Sequence, residues 1–295
     1  MFRNILVGID DRDGGSDALA LAKKLLTDGN ELTLAYIYHG DVQLGRASSA
    51  KRPVAERDHA VQVLERASRQ AGVQAHLRWR GAPSVAQGLH ELAEVIGADV
   101  LVVGSSRRGA LGRVFLGDDT HAALNGAPCA VAVAPTGYAE HPALMREIGV
   151  AYNGSPESGC AVGVARELAA EHGAKLSAFE AVWTPWYGFG TEHTAPDGAI
   201  DELVDHARER IAALGEIEAH AVFGEPAKEL ALYSASLDLL VVGSRSEGAI
   251  GRLVHGSTSQ QLARAACCPL LVLTRADAMT LTCESKEEAV IATTA

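Results

Sequence analysis

Two stretches of the chain share one pattern, and this internal repeat constrains the fold more than any other feature. The run Leu101-Val-Val-Gly-Ser returns 139 residues later as Leu240-Val-Val-Gly-Ser (101 to 240), and Gly117 returns at the same interval as Gly256. In each copy an apolar, strand-like run stops at a glycine, and a second glycine opens a helix-like segment 13 residues further on. The 295 residues therefore divide into two domains.

Each copy alternates short apolar runs with helical patterns. The predicted strands of the first half are residues 5–9, 32–38, 73–79, 100–103 and 130–134, and those of the second are 148–152, 176–182, 218–222, 239–242 and 270–273. Helical patterns separate these strands, and Ser16 and Asp17 are predicted to cap the first helix. The order predicts an α/β fold of two tandem doubly wound domains. Each is a Rossmann-like, five-stranded parallel sheet flanked by helices.

The repeat also sets the predicted domain boundaries. We expect a first domain at residues 1–137, a linker at 138–145, a second domain at 146–275 and a C-terminal tail at 276–295. Asp99, which precedes a strand in the first half, reappears as Asp238 in the second.

The composition argues against several classes of protein. A net charge of −11 repels phosphate backbones and anionic lipid, so neither nucleic acid nor a membrane is an expected partner. No run approaches the roughly 20 apolar residues that span a bilayer, and the start shows no signal-peptide pattern, so we expect a cytoplasmic protein. The five cysteines form no CxxC pair, which favours buried thiols.

The carboxyl ends of the strands are where a doubly wound sheet binds its ligands. A glycine after the fourth strand allows a ligand to approach the backbone closely. A Gly-Ser pair that opens the next helix offers free N–H groups and a positive dipole end to phosphate. A carboxylate after the first strand accepts hydrogen bonds from ribose hydroxyls or an adenine amino group. The pattern predicts an adenine nucleotide.

The same residues resemble a known family. Ile5-Leu-Val-Gly-Ile-Asp10, Gly224-Glu-Pro226, and Asp238-Leu-Leu-Val-Val-Gly-Ser followed by Gly256-Ser257 are similar to the tandem, two-domain form of the universal stress protein family. The resemblance covers about residues 1–275, and it includes the family's nucleotide motif: glycine, two residues, glycine, nine residues, then Gly-Ser or Gly-Thr. It implies an ATP-binding protein that acts in stress response or regulation and binds ATP with or without Mg²⁺.

The second half keeps the phosphate end of that motif. It reads Gly243-Ser-Arg-Ser246, nine residues, and Gly256-Ser257-Thr258, with Ser246 in place of the family's second glycine. Asn153 stands where the family has aspartate, although an amide oxygen still accepts a hydrogen bond. The predicted nucleotide-binding residues of this half are Asn153, Ala181, Val242, Gly243, Ser246, Gly256, Ser257 and Thr258.

The first half instead keeps the base end. Asp10 is present, but its helix opens with Gly117-Asp118-Asp119, whose carboxylates already satisfy the helix dipole and repel a phosphate. We therefore favour the second half as the nucleotide site. The candidate residues of the first half are Asp10, Ile37, Val103, Gly104, Arg107 and Gly117.

Other interpretations remain open. The glycines at the strand ends could simply make tight turns, in which case the chain is an interaction module of the same family without nucleotide. A third alternative is an ATP pyrophosphatase-type adenylating enzyme, suggested by Gly14-Gly15-Ser16-Asp17, although a turn with a helix cap is favoured there. No nucleophile, base or metal set indicates a conventional enzyme, so we expect at most slow ATP hydrolysis.

Two further features concern contacts. The resemblance implies that the halves pack about a pseudo-twofold axis through their last strands, residues 130–134 and 270–273, and that two chains can form a homodimer. Trp183, Trp186, Tyr187 and Phe189 cluster after the second strand of the second half. They could cover the crevice, contact a partner or pack on their own domain.

Overall fold

The fold is seen in a computed structural model, which describes residues 2–11, 13–27, 29–39, 52–72, 74–105, 118–183, 198–244, 261–262 and 264–273. The first half contains β1 (Asn4–Gly8), α1 (Asp13–Leu25), β2 (Glu31–His39), α2 (Arg52–Ala71), β3 (His76–Ala82), α3 (Val85–Ile96), β4 (Val100–Gly104), α4 (Asp118–Leu124) and β5 (Ala130–Ala134). The second contains β6 (Glu147–Ala151), α5 (Pro156–His172), β7 (Lys175–Val182), α6 (Ala199–Ala212), β8 (Glu218–Phe223), α7 (Pro226–Tyr233), a short 3₁₀ helix (Ser234–Ser236), β9 (Leu239–Gly243) and β10 (Leu270–Leu273).

All ten strands lie in one sheet, in the order β3-β2-β1-β4-β5-β10-β9-β6-β7-β8. Neighbouring strands are parallel within each half, whereas β5 and β10 pair antiparallel, with Leu270 opposite Val133 and Val272 opposite Val131. Each half therefore repeats the order third, second, first, fourth, fifth strand. The predicted α/β class of tandem doubly wound domains is confirmed.

The strands are apolar because both faces of the sheet are covered. Val7 and Val102 belong to a core with residues of α1 and α5, while Leu6 and Leu101 point to the opposite face and pack with α3 and α7. Burying one such leucine completely contributes roughly 1.5–3 kcal/mol. Each core contains residues of both halves, so the sheet and its two cores are continuous across β5 and β10.

The repeated aspartates lie at the amino-terminal edge of the sheet and have a structural role there. Asp99 Oδ2 accepts hydrogen bonds from the Arg3 and Asn4 amides at 2.6 and 2.8 Å. Asp238 Oδ2 makes the same pair of contacts with the Arg146 and Glu147 amides at 2.6 and 3.3 Å. The aspartate before the fourth strand thus joins that strand to the first in each half.

Two predicted details of the first half differ from the structure. The third strand lies at His76–Ala82, beyond the predicted 73–79, because α2 continues to Ala71 and ends on Gly72, whose φ is 62°. The prediction that Ser16 and Asp17 cap the first helix is wrong, since α1 already begins at Asp13. Asp17 is instead buried, and its carboxylate accepts hydrogen bonds from the Gly137 and Ala139 amides at 2.9 and 2.8 Å.

Asp17 makes stability depend on acid pH in a direction opposite to that of most carboxylates. Burial is the main cause that raises its pKa above 3.8, with Asp13 and Glu140 adding to the rise, while the Ala139 and Gly137 amides lower it. A raised folded-state pKa means that the folded protein binds the proton more tightly than the unfolded chain. Its contribution to the free energy of unfolding therefore falls as pH rises through and above 3.8.

We expect Asp17→Asn to abolish this pH-dependent decrease in the free energy of unfolding. The stability of the wild type minus that of the variant should decrease as pH rises from 3 to 7, measured by urea denaturation at each pH. The same comparison with Glu167→Gln, an exposed residue of α5, should not show this decrease. A difference that grows with pH for Asp17→Asn would mean that the two amide hydrogen bonds outweigh burial.

Candidate functional site

The predicted crevice of each half lies at the edge of the sheet where the carboxyl ends of its first, second and fourth strands meet. In the first half β1 pairs with both β2 and β4, so Asp10, Ile37 and Gly104 follow or end neighbouring strands at one edge. Ile37 and Val103 are buried on the face that α3 covers. The structure thus brings the four described candidates of this half to one edge.

The second half repeats this arrangement. β6 lies between β7 and β9, so Asn153, Ala181, Val242 and Gly243 collect at one carboxyl edge. The backbone agrees in detail, since Tyr152 N donates to Phe179 O at 2.9 Å where the first half has Ile9 N donating to Ala35 O at 2.8 Å. The other predicted site residues lie outside the described residues: Arg107, Gly117, Ser246, Gly256, Ser257 and Thr258.

The glycine that ends the fourth strand of each half has a packing role that neither sequence interpretation included. A Cβ atom at Gly104 would lie 2.7 Å from Gly14 Cα, and one at Gly243 would lie 2.7 Å from the Glu157 carbonyl carbon. Contacts this short are not tolerated, so the first helical turn of each half can pack on its fourth strand only if that position is glycine. These glycines are therefore explained by the fold before any ligand is considered.

At the base end of the first half, Asp10 holds the start of α1. Its Oδ1 accepts a hydrogen bond from Gly15 N at 2.9 Å, which satisfies one of the free amides of the first turn. The carboxylate itself is exposed at the mouth of the crevice. At the other end, Thr120 Oγ1 donates to Gly104 O at 3.0 Å, so α4 starts beside the end of β4.

At the base end of the second half, Asn153 forms a local turn. Its Oδ1 accepts a hydrogen bond from Ser155 N at 3.1 Å, and its own N donates to Ser158 Oγ at 3.4 Å. This is the usual way in which an asparagine side chain stabilises a turn two residues on. The amide oxygen that we predicted would accept a bond from the ligand thus already accepts one hydrogen bond from the backbone.

An ion pair between a buried glutamate and a half-exposed arginine lies beside this turn, and the sequence analysis missed it. Glu180 lies in β7 with 7% of its surface exposed, and Arg210 of α6 binds it through Nη2 to Oε1 at 2.6 Å and Nε to Oε2 at 3.3 Å. Arg210 also passes close to Gly154. A charged residue in an otherwise apolar strand was the signal, because a buried carboxylate needs a partner.

A cavity of about 320 Å³ lies elsewhere, around β8 and α7. Tyr233 is one of its lining residues; its hydroxyl is hydrogen-bonded to Ser177 Oγ, and burial raises the pKa of Tyr233 to about 12. The tyrosine is therefore neutral at physiological pH. None of the predicted site residues lines this cavity; its lining is Phe179, Arg208, Ala219, His220, Ala221, Val222, Glu229, Leu232 and Tyr233.

Metal and thiol chemistry has little support in the described ranges. They contain no group of three or more His, Cys, Asp or Glu side chains placed to hold a metal. Of the cysteines in these ranges, Cys129 and Cys268 are buried and Cys160 and Cys267 are partly exposed, and none of these four is in a disulfide. Burial raises the pKa of Cys268, which keeps it protonated and unreactive. Among the same residues, no helix has the length and apolar character to cross a bilayer.

Two parallel α/β halves, each with a crevice at the carboxyl edge of its sheet, define a tandem Rossmann-like protein. The sequence pattern of the universal stress protein family matches residues 1–135 and again residues 145–274. The chain therefore belongs to the universal stress protein family.

Relatives extend this assignment. The chain is 32% identical over 182 residues to a universal stress protein of Mycobacterium tuberculosis, an alignment that covers 59% of this chain and only 61% of that relative. It is 31% identical over 137 residues to one of Thermus aquaticus, covering 44% of this chain and 99% of the relative. The crystal structure of a universal stress protein from Archaeoglobus fulgidus superposes with a TM-score of 0.63 over 92% of this chain and 98% of its own, at 19% identity. That likeness concerns the fold alone.

Proposed function

We propose that this chain is an ATP-binding universal stress protein that acts in stress response or regulation, with its better nucleotide site in the second half. The observation that carries the proposal is the meeting of Asn153, Ala181 and Gly243 at adjacent carboxyl ends of β6, β7 and β9. That is the position at which parallel α/β sheets bind nucleotides. Membership of the family supports the regulatory role.

The ranking of the halves depends on how the helix after the fourth strand begins. In the first half α4 begins at Asp118, so two acidic residues occupy its first turn. In the second half the corresponding sequence is Gly256-Ser257, which adds no negative charge and supplies a hydroxyl donor. A triphosphate, with or without Mg²⁺, is therefore better accommodated in the second half.

The proposal includes the division of the chain. The domains are residues 1–137 and 146–275, joined by a linker at 138–145 and followed by a tail at 276–295. The two halves are related by a pseudo-twofold axis. The register of the antiparallel pair β5 and β10 supports this arrangement, because equivalent residues of the two strands are paired symmetrically. The proposal also includes a homodimer of two such chains.

The interaction module without nucleotide is the second candidate. It is favoured by the hydrogen bonds from Gly15 N to Asp10 and from Ser155 N to Asn153, because both base-end side chains already serve their own turns. The adenylating enzyme has less support, since Gly14 and Gly15 lie in the first turn of α1, where Gly14 packs on Gly104.

Calorimetry on the full chain separates these candidates. We expect saturable heat on titration with ATP, in the presence or absence of Mg²⁺, and release of an adenine nucleotide when the freshly purified protein is denatured and its extract is analysed by mass spectrometry. No binding at millimolar ATP under either condition would leave the interaction module as the better description. Release of pyrophosphate from ATP would instead support adenylation.

A further inference from the structure

An exposed aromatic pair lies at the carboxyl edge of the second half. Trp183, the residue directly after β7, is 46% exposed, although a tryptophan is normally among the most buried side chains of a domain. Its ring stacks with that of Phe223, the last residue of β8, with centroids 6.5 Å apart and planes 29° apart. The hydrogen bond from Gly224 N to Val182 O at 3.0 Å joins the two strand ends beside the rings.

This pair belongs to the same edge as the proposed nucleotide site. Trp183 directly follows β7, whose carboxyl end lies at the same edge of the sheet as Asn153 and Gly243. The described residues of the first half contain no equivalent pair: His39 stands at the equivalent point after Ile37, and Gly81 lies opposite Tyr38 where Phe223 lies opposite Val182. The aromatic pair is thus a difference between the two crevices.

The polar side chains of the second half that lie nearest the proposed base position already have hydrogen-bond partners in the protein. The Asn153 amide oxygen is bound to Ser155 N, and the Glu180 carboxylate is bound to Arg210. An exposed indole face supplies affinity without a hydrogen bond, since an aromatic side chain that stacks on a base strengthens binding by roughly 5- to 150-fold. Phe223 holds the indole from behind, which reduces the entropy lost when a ligand stacks on it.

We propose that Trp183, backed by Phe223, stacks on the purine ring of the nucleotide held by the second half. The proposal rests on the proposed function, and it adds how the base is recognised. Recognition through a ring face discriminates poorly between bases, because every base has such a face. The site is therefore one for purine nucleoside triphosphates in general, with ATP and GTP binding within about fivefold of each other.

The test is calorimetry on the full chain with ATP, GTP and inorganic tripolyphosphate, which carries the phosphates without a base. Trp183→Ala should weaken the binding of ATP and of GTP by about tenfold and leave the binding of tripolyphosphate unchanged. Trp183→Phe should bind all three ligands with affinities within about threefold of the wild type. His39→Ala, the matched change in the first half, should alter none of them. Thermal unfolding establishes that each variant is folded.

The outcomes separate the two proposals. If Trp183→Ala binds ATP as the wild type does, or loses ATP and tripolyphosphate equally, the stacking role is wrong while the ATP site stands. If the wild type binds GTP far more weakly than ATP, hydrogen bonds recognise the base and Trp183 is not its main contact. If the wild type binds no nucleotide, both proposals fail together.

Discussion

Replacing Gly243 with alanine is expected to lower the free energy of unfolding by about 2–3 kcal/mol. The added methyl group would lie 2.7 Å from the Glu157 carbonyl carbon, which is backbone and cannot rotate away. Either α5 must shift from β9 or the end of β9 must distort, and both changes disturb a core in which Val242, Leu240 and Leu239 are buried. Chemical denaturation of the two proteins measures the loss.

Gly163→Ala is the matched control. Gly163 lies inside α5, and a Cβ atom there would meet nothing within 4 Å. Alanine has the higher helix propensity, so this variant should be more stable than the wild type by about 0.5–1 kcal/mol. If Gly243→Ala also proved neutral or stabilising, the close contact between α5 and β9 would not be the reason for a glycine at that position.

Replacing Ser257 with aspartate is expected to weaken ATP binding by at least about tenfold. The change gives the second half the Gly-Asp sequence of residues 117 and 118, and it places a carboxylate where we propose that the phosphates bind. Repulsion between the carboxylate and the phosphates, together with loss of the hydroxyl donor, should raise the dissociation constant measured by calorimetry.

Two further variants make this test specific. Ser257→Asn has nearly the same size as the aspartate variant and no charge, so it should lose much less affinity. Gly117→Ala changes the corresponding loop of the first half and should have little effect. A large loss from Gly117→Ala, or none from Ser257→Asp, would show that the halves have been ranked in the wrong order.

The strands and the parallel, doubly wound class of the fold could be predicted because the signal is local and repeated. Apolar runs such as residues 100–103 and 239–242 are typical of strands covered on both faces, and the repeat fixes which run corresponds to which. The meeting of Asp10 with Gly104, and of Asn153 with Gly243, follows from the carboxyl edge that a doubly wound sheet shares between its first and fourth strands. These predictions required no knowledge of side-chain contacts.

The details that escaped prediction depend on contacts between distant residues. The packing of Gly14 on Gly104, the bond from Asp17 to Gly137 and the ion pair of Glu180 with Arg210 join residues that no periodic pattern links. Asp17 is an example of the difficulty, because an aspartate near the start of a helix is usually a cap. Only the path of the linker shows that this one binds a different segment.

The antiparallel pairing of β5 with β10 has a consequence for how the two crevices work together. Because the strands of the two halves run in opposite directions, their carboxyl ends face opposite edges of the sheet, so the crevices open toward opposite poles of the molecule. A single small ligand therefore does not contact both edges, and a partner that contacts both must extend from one edge of the sheet to the other. The two edges are connected through the hydrogen bonds of these two strands and through the two cores that contain residues of both halves.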